Sequence, residues 1–146
     1  CIVDSTPYAL NIIYNKTTST EIDHVDVSWG HKHIQLYSEL KIHYLLNEII
    51  NCEAFEILKG LSNRSKHKHL TPIINSFHTL TIDSFRYHKT DKGNRKQRKE
   101  IITPSINVDE FMARCHDSLI PLVVGLFGEI IRTKEAEQCN TPLSSS

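Results

Sequence analysis

Fourteen consecutive residues, Arg86–Lys99, hold seven of the seventeen basic side chains of this 146-residue sequence and a single acid, Asp91. The cations are Arg86, Lys89, Lys92, Arg95, Lys96, Arg98 and Lys99. Lys and Arg gathered on one short segment bind phosphate while staying hydrated, so backbone contact with a nucleic acid is the chemistry to expect. Tyr87 and His88 sit among these charges and are candidates to stack on an unpaired base. A second basic stretch runs Arg64-Ser65-Lys66-His67-Lys68-His69. On a helix, five residues turn the chain by about 500°, a net separation of about 140°, which long side chains at a helix end can bridge toward one phosphate. There His69 would exchange a proton with a ribose 2′-hydroxyl or a leaving 5′-oxygen, and Arg64 would stabilise the phosphorane charge. The plainer reading of both stretches is a solvated basic hairpin and an exposed loop between helices.

Other constellations point to less. His24, Asp26, His31 and His33 are close in sequence, and His67 and His69 lie further on. Yet no His-x3-His falls on an expected helix, and no Cys/His cluster has metal-ligand spacing. No metal and no cofactor are expected. Cys115 and His116 are adjacent, so on a helix their side chains diverge by about 100°, which is poor geometry for a nucleophile and its base. Asp109 and Glu110 read as a helix cap and first turn. The five glycines form no phosphate-binding run. The four cysteines, Cys1, Cys52, Cys115 and Cys139, form no close pair, and at this length the chain needs no disulfide framework.

The spacing of Arg64 and His69 resembles the Arg-x4-His signature of the HEPN superfamily, small helical domains that include RNA-cutting toxins and defence nucleases along with nucleotide-binding and inactive members. The resemblance implies a dimeric helical bundle with Arg64 and His69 as its catalytic pair. Active members commonly carry Asn, Asp or His directly after the arginine, where this chain has Ser65. An alternative placement of the motif on Phe77-His78-Thr79-Leu80-Thr81-Ile82 puts Phe77 and Ile82 in the two catalytic positions and implies an inactive member.

These residues need elements to position them. Apolar residues make up 39% of the sequence and charged ones 23%, values of a globular chain. Net charge is zero, but the basic stretches leave the remainder strongly acidic, so positive charge is localised. Two Ile/Val/Tyr-rich runs, 8–14 and 22–29, suggest an N-terminal β-hairpin; Val25, Val27 and Trp29 alternate as on a strand face. A helix is expected from about His33 to Leu58, with Gly60 as its stop. Thr71 and Pro72 suit the start of another, with Ile73, Ile74, Phe77, Leu80 and Ile82 on its apolar face. Residues 84–103 read as a hairpin, Phe85, Tyr87, Ile101 and Ile102 flanking the turn Asp91-Lys92-Gly93-Asn94. A last helix begins at a cap on Asp109 and runs to about Ile131, kinked at Pro121.

The expected fold is mainly α, a small helical bundle with one or two short β-hairpins, α+β being the alternative. The expected division is an N-terminal hairpin region at 1–32, a helical core at 33–135 with the basic hairpin 84–103 inserted, and a disordered tail at 136–146. The apolar stretch Leu119–Phe127 is short and contains Pro121 and Gly125, so no membrane span is expected. The N-terminus lacks a basic head and apolar run, and the expected location is the cytoplasm. The chain opens at Cys1, as a processed protein or a piece of a longer one would. The leading functional expectation is a non-catalytic module that contacts RNA or DNA phosphate, or another polyanion, through 86–99. A metal-independent, HEPN-like endoribonuclease and a structural or protein-interaction domain of a larger chain are the alternatives. A homodimer is a further expectation.

Overall fold

The computed structural model describes residues 2–14, 28–66, 71–90 and 98–139, with the backbone alone described at 2–4, 88–90 and 98–99. The fold is mainly α, with a small helical bundle and two small open sheets. Two compact units divide it: Cys1–Asn51 with Ile120–Ser146, and Cys52–Leu119.

The first unit is helical. It contains α1 (Ile2–Tyr14), α2 (His31–Gln35), α3 (Ile42–Asn51) and α6 (Ile120–Cys139). The N-terminal hairpin is corrected here. Residues 8–14 belong to a helix, and those of the second expected strand, 22–27, lie outside the described residues. The β-branched run hid a four-residue spacing. Thr6 and Leu10 are buried one turn apart, and one turn further Tyr14 meets Tyr37 edge-on, with ring centroids 6.0 Å apart. The Lys134 ammonium on α6 sits 5.0 Å from the Tyr14 ring centre, a cation–π contact between α1 and α6. On α3, Ile42, Leu46 and Ile49 form the stripe that the sequence suggested, and they are buried together with Leu126 and Ile130 of α6.

The single helix expected over His33–Leu58 is three. Between α2 and α3 the backbone tightens into i→i−3 hydrogen bonds, among them Tyr37 N–H to Ile34 C=O at 3.1 Å and Leu40 N–H to Tyr37 C=O at 2.9 Å. That turn lets Ile34, Tyr37 and Ile42 all reach the core. At the end of α3, side-chain amides take backbone carbonyls. Asn47 Nδ2 donates to His43 C=O at 2.9 Å, and Asn51 Nδ2 to Asn47 C=O at 2.8 Å. Such side-chain competition weakens the helical ladder, and the helix ends at Asn51.

The second unit holds α4 (Glu53–Lys66), β1 (Ile73–Ser76), β2 (Thr79–Ile82), β3 (Phe85–Thr90), β4 (Arg98–Thr103), β5 (Ile106–Asn107) and α5 (Val108–Arg114), followed by a π turn, Cys115–Leu119. One sheet has the order β1-β2-β5 and the other pairs β3 with β4, all antiparallel. Gly60 does not stop α4. A Cβ built there would lie 3.2 Å from both Phe85 Cε2 and Tyr87 Cγ. Glycine lets the helix lie close against β3, and it is buried in mid-helix. The helix expected after Pro72 is a hairpin with Phe77-His78 as its turn. Ile73, Ile74, Thr79, Thr81 and Ile82 are β-branched and favour strands, and Pro72 precedes the first strand, where its missing N–H costs no ladder bond.

The cap of α5 is Asn107, not Asp109. Its Oδ1 accepts from the N–H groups of Asp109 at 2.8 Å and Glu110 at 3.2 Å. Further on, Pro121 sits in helix without ending it. The widened turn Cys115–Leu119 lies immediately before it, and Ser118 Oγ donates to Arg114 C=O at 2.6 Å. A π turn is one way for a helix to absorb a proline. Pro121 and Gly125 therefore do not interrupt the helical run Val108–Cys139. By length and composition this run is long and apolar enough to cross a membrane, a property that core helices of soluble proteins share.

Candidate functional site

The β3–β4 ribbon realises the expected hairpin of residues 84–103. Its root is fixed by packing. Phe85 and Thr103 face each other and are buried; Tyr87 and Ile101, the next pair on that face, are half-buried. The Phe85 and Tyr87 rings lie 6.0 Å apart, both against Gly60. Tyr87, expected to stack on a base, thus serves the attachment of the ribbon to α4.

Beyond the root the ribbon becomes basic. His88 pairs with Glu100, Lys89 with Lys99, and Thr90 with Arg98 in backbone register. Arg86 faces solvent, and its Nη1 lies 3.7 Å from Glu100 Oε1. Both side chains are well exposed, so that pair contributes at most about 1 kcal/mol. Lys92, Arg95 and Lys96, with the expected turn at 91–94, lie outside the described residues.

Arg64 occupies the last turn of α4 and joins the two basic stretches. Its Nε donates to Thr71 Oγ1 at 3.1 Å and its Nη1 to the Arg86 carbonyl at 3.4 Å. The guanidinium carbon stands 6.0 Å from the Phe85 ring centre. The side chain expected to steady a phosphorane is thus tied to the root of the ribbon. His69 lies outside the described residues. The alternative motif placement is corrected: Phe77–Ile82 is turn and strand, with Phe77 exposed and Ile82 buried, and not a helix carrying two residues on one side.

Among the described residues no three His, Cys, Asp or Glu side chains gather to hold a metal. His24 and Asp26 lie outside them. His33 is buried with both ring nitrogens engaged, Nδ1 to Ser28 C=O at 2.9 Å and Nε2 to the Tyr37 hydroxyl at 3.2 Å. Burial pushes the Cys115 thiol above its ordinary pKa, the neighbouring Cys52 adds to this, and Arg114 opposes it. His116 Nδ1 is paired with Asp117 Oδ1 at 2.8 Å.

Sequence reasoning missed the β1–β2 hairpin. All four residues of β1 are exposed, as are Phe77 and Leu80, and Phe77 is 101% exposed at the tip. Its φ is 34°, the left-handed region, which a bulky L-residue enters at a cost of about 1–2 kcal/mol. Phe77→Gly should therefore stabilise the hairpin by roughly 1 kcal/mol in urea unfolding; a loss of stability would show that the ring makes compensating contacts. Compared with known proteins, the chain matches no family model, no curated protein and no solved structure.

Proposed function

We propose that this chain is a non-catalytic module that contacts the phosphate backbone of a nucleic acid through the β3–β4 ribbon, with Arg64 at its base. The observation that carries the reading is the hydrogen bond from Arg64 to the Arg86 carbonyl. It brings the basic end of α4 against the root of the ribbon formed from the segment Arg86–Lys99, whose fourteen residues include seven cations in sequence.

Labelled single-stranded RNA titrated with the chain over a range of NaCl concentrations tests it by fluorescence anisotropy. Affinity should fall linearly with log salt. Neutralising Arg95, Lys96, Arg98 and Lys99 with Gln should lower the slope by about 0.7 for each phosphate that is no longer neutralised. Absence of binding at low salt rejects the proposal. RNA incubated in EDTA should remain intact. Cleavage that disappears in His69→Ala would favour the Arg-x4-His reading instead.

A further inference from the structure

We infer that the edge strand β1 is a self-association site at which a second copy of this chain adds its own β1 antiparallel, joining two three-stranded sheets into one of six. Strand β1 lies at the end of the order β1-β2-β5, and among the described residues no strand pairs with its outer side. The two-residue turn sets which backbone groups are free. Ser76 and Thr79 flank the turn, and Asp83 N–H donates to Pro72 C=O at 2.9 Å, so 72, 74 and 76 direct their backbone groups toward β2. Ile73 and Asn75 direct theirs outward. An open edge of this kind is satisfied by another extended strand.

Charge selects a second copy as that strand. Edge strands are usually guarded by Lys, Glu or a bulge, yet Ile73–Ile82 contains no Lys, Arg, Asp or Glu. Nothing in the segment repels its own duplicate. The outward groups of Ile73 and Asn75 also fit one two-fold register, in which Ile73 of each copy pairs with Asn75 of the other and the two Ile74 residues stand directly opposite. In that register Phe77 faces Thr71 of the second copy. Ile73 and Leu80 lie on the same sheet face as the buried Ile82 and Ile106 but are themselves exposed. Joining two sheets makes that apolar face continuous.

Sedimentation velocity of the full chain from about 1 to 200 µM tests the inference, the range spanning ordinary transient-dimer affinities. The wild type should show a concentration-dependent dimer. Ile74 is 48% exposed, so Ile74→Lys should fold normally by near-ultraviolet circular dichroism. It should weaken the dimer roughly tenfold or more by setting two lysines opposite each other. Mixing Ile74→Lys with Ile74→Glu should restore a heterodimer, an outcome that unfolding or a different interface cannot produce. A wild type that stays monomeric throughout, or an Ile74→Lys dimer of undiminished affinity, overturns the inference. So does a monomeric wild type that binds neutral phosphatidylcholine vesicles through Phe77, which would assign the hairpin to a lipid surface.

Discussion

Leu126→Ala should lower the unfolding free energy of the helical unit by about 2–5 kcal/mol, measured as a shift in urea midpoint at unchanged slope. Leu126 is 0% exposed and lies on α6 where that helix meets α3. Ile42, Leu46 and Ile49 are the buried residues of α3, and Ile130 is buried one turn further along α6. Removing the isobutyl group forfeits its burial and leaves a void that two regular helices are poorly able to close. Val124, two residues away on the exposed side of α6, is the control, and Val124→Ala should shift stability by less than about 0.5 kcal/mol. Equal effects from the two substitutions would mean that α6 does not bury the face described.

The same unit should lose stability at both ends of the pH scale, and the two residues of one hydrogen-bonded pair, His33 and Tyr37, contribute to one limb each. The Ser28 carbonyl can only accept, so His33 Nδ1 carries the proton and the neutral ring accepts the Tyr37 hydroxyl at Nε2. Burial holds the His33 pKa below its ordinary 6.5, against the raising influence of the Ser28 hydrogen bond. As pH falls below 6.5 the unfolded chain takes up a proton that the folded chain refuses. Stability present above that value is therefore lost progressively as pH approaches the folded pKa.

Burial, with a smaller contribution from Tyr14, pushes Tyr37 from 10.0 up to about 12. Above pH 10 the unfolded chain releases a proton that the folded chain keeps, so stability present below 10 is lost as pH rises toward about 12. Urea unfolding at intervals from about pH 5 to about pH 11 checks both limbs. His33→Gln supplies a donor and an acceptor that do not titrate, and should flatten the acid limb above about pH 5. Tyr37→Phe should reduce the alkaline limb, and should cost about 1 kcal/mol at neutral pH by removing the hydrogen bond. An unchanged acid limb in His33→Gln would remove the histidine from the account.

Where the sequence pattern was read correctly, the residues that set an element also lie within it. The stripe Ile42, Leu46, Ile49 repeats at helical spacing along α3. The basic hairpin is bracketed by Phe85 and Tyr87 on one side and Ile101 and Ile102 on the other, and its register follows from that bracket. Where the reading failed, the deciding partner was distant. Tyr8–Tyr14 suits a strand by composition, but Leu10 is buried, and Tyr14 packs on Tyr37 and beneath Lys134 of α6. Ile73–Ile82 fits an amphipathic helix nearly as well as a hairpin, and the neighbouring strand β5 begins only at Ile106, well beyond Ile82 in the chain. The candidate site divides in the same way. Its cations are countable from the sequence, whereas the bond from Arg64 to the Arg86 carbonyl depends on how α4 and β3 meet.

By itself the sequence determined the mainly helical class, the α3 stripe, the basic hairpin and the segregation of positive charge onto two short stretches, because periodicity and charge count are local properties of a chain. Only the folded structure decided that Gly60 is a point of close approach rather than a stop, that Pro121 stays inside a helix beside a π turn, and that, among the described residues, β1 stands at the edge of its sheet. Pro121 is accommodated by the turn just before it, whereas Gly60 and β1 turn on residues from distant parts of the chain, and the energy of such a meeting has no signature in the residues immediately around them.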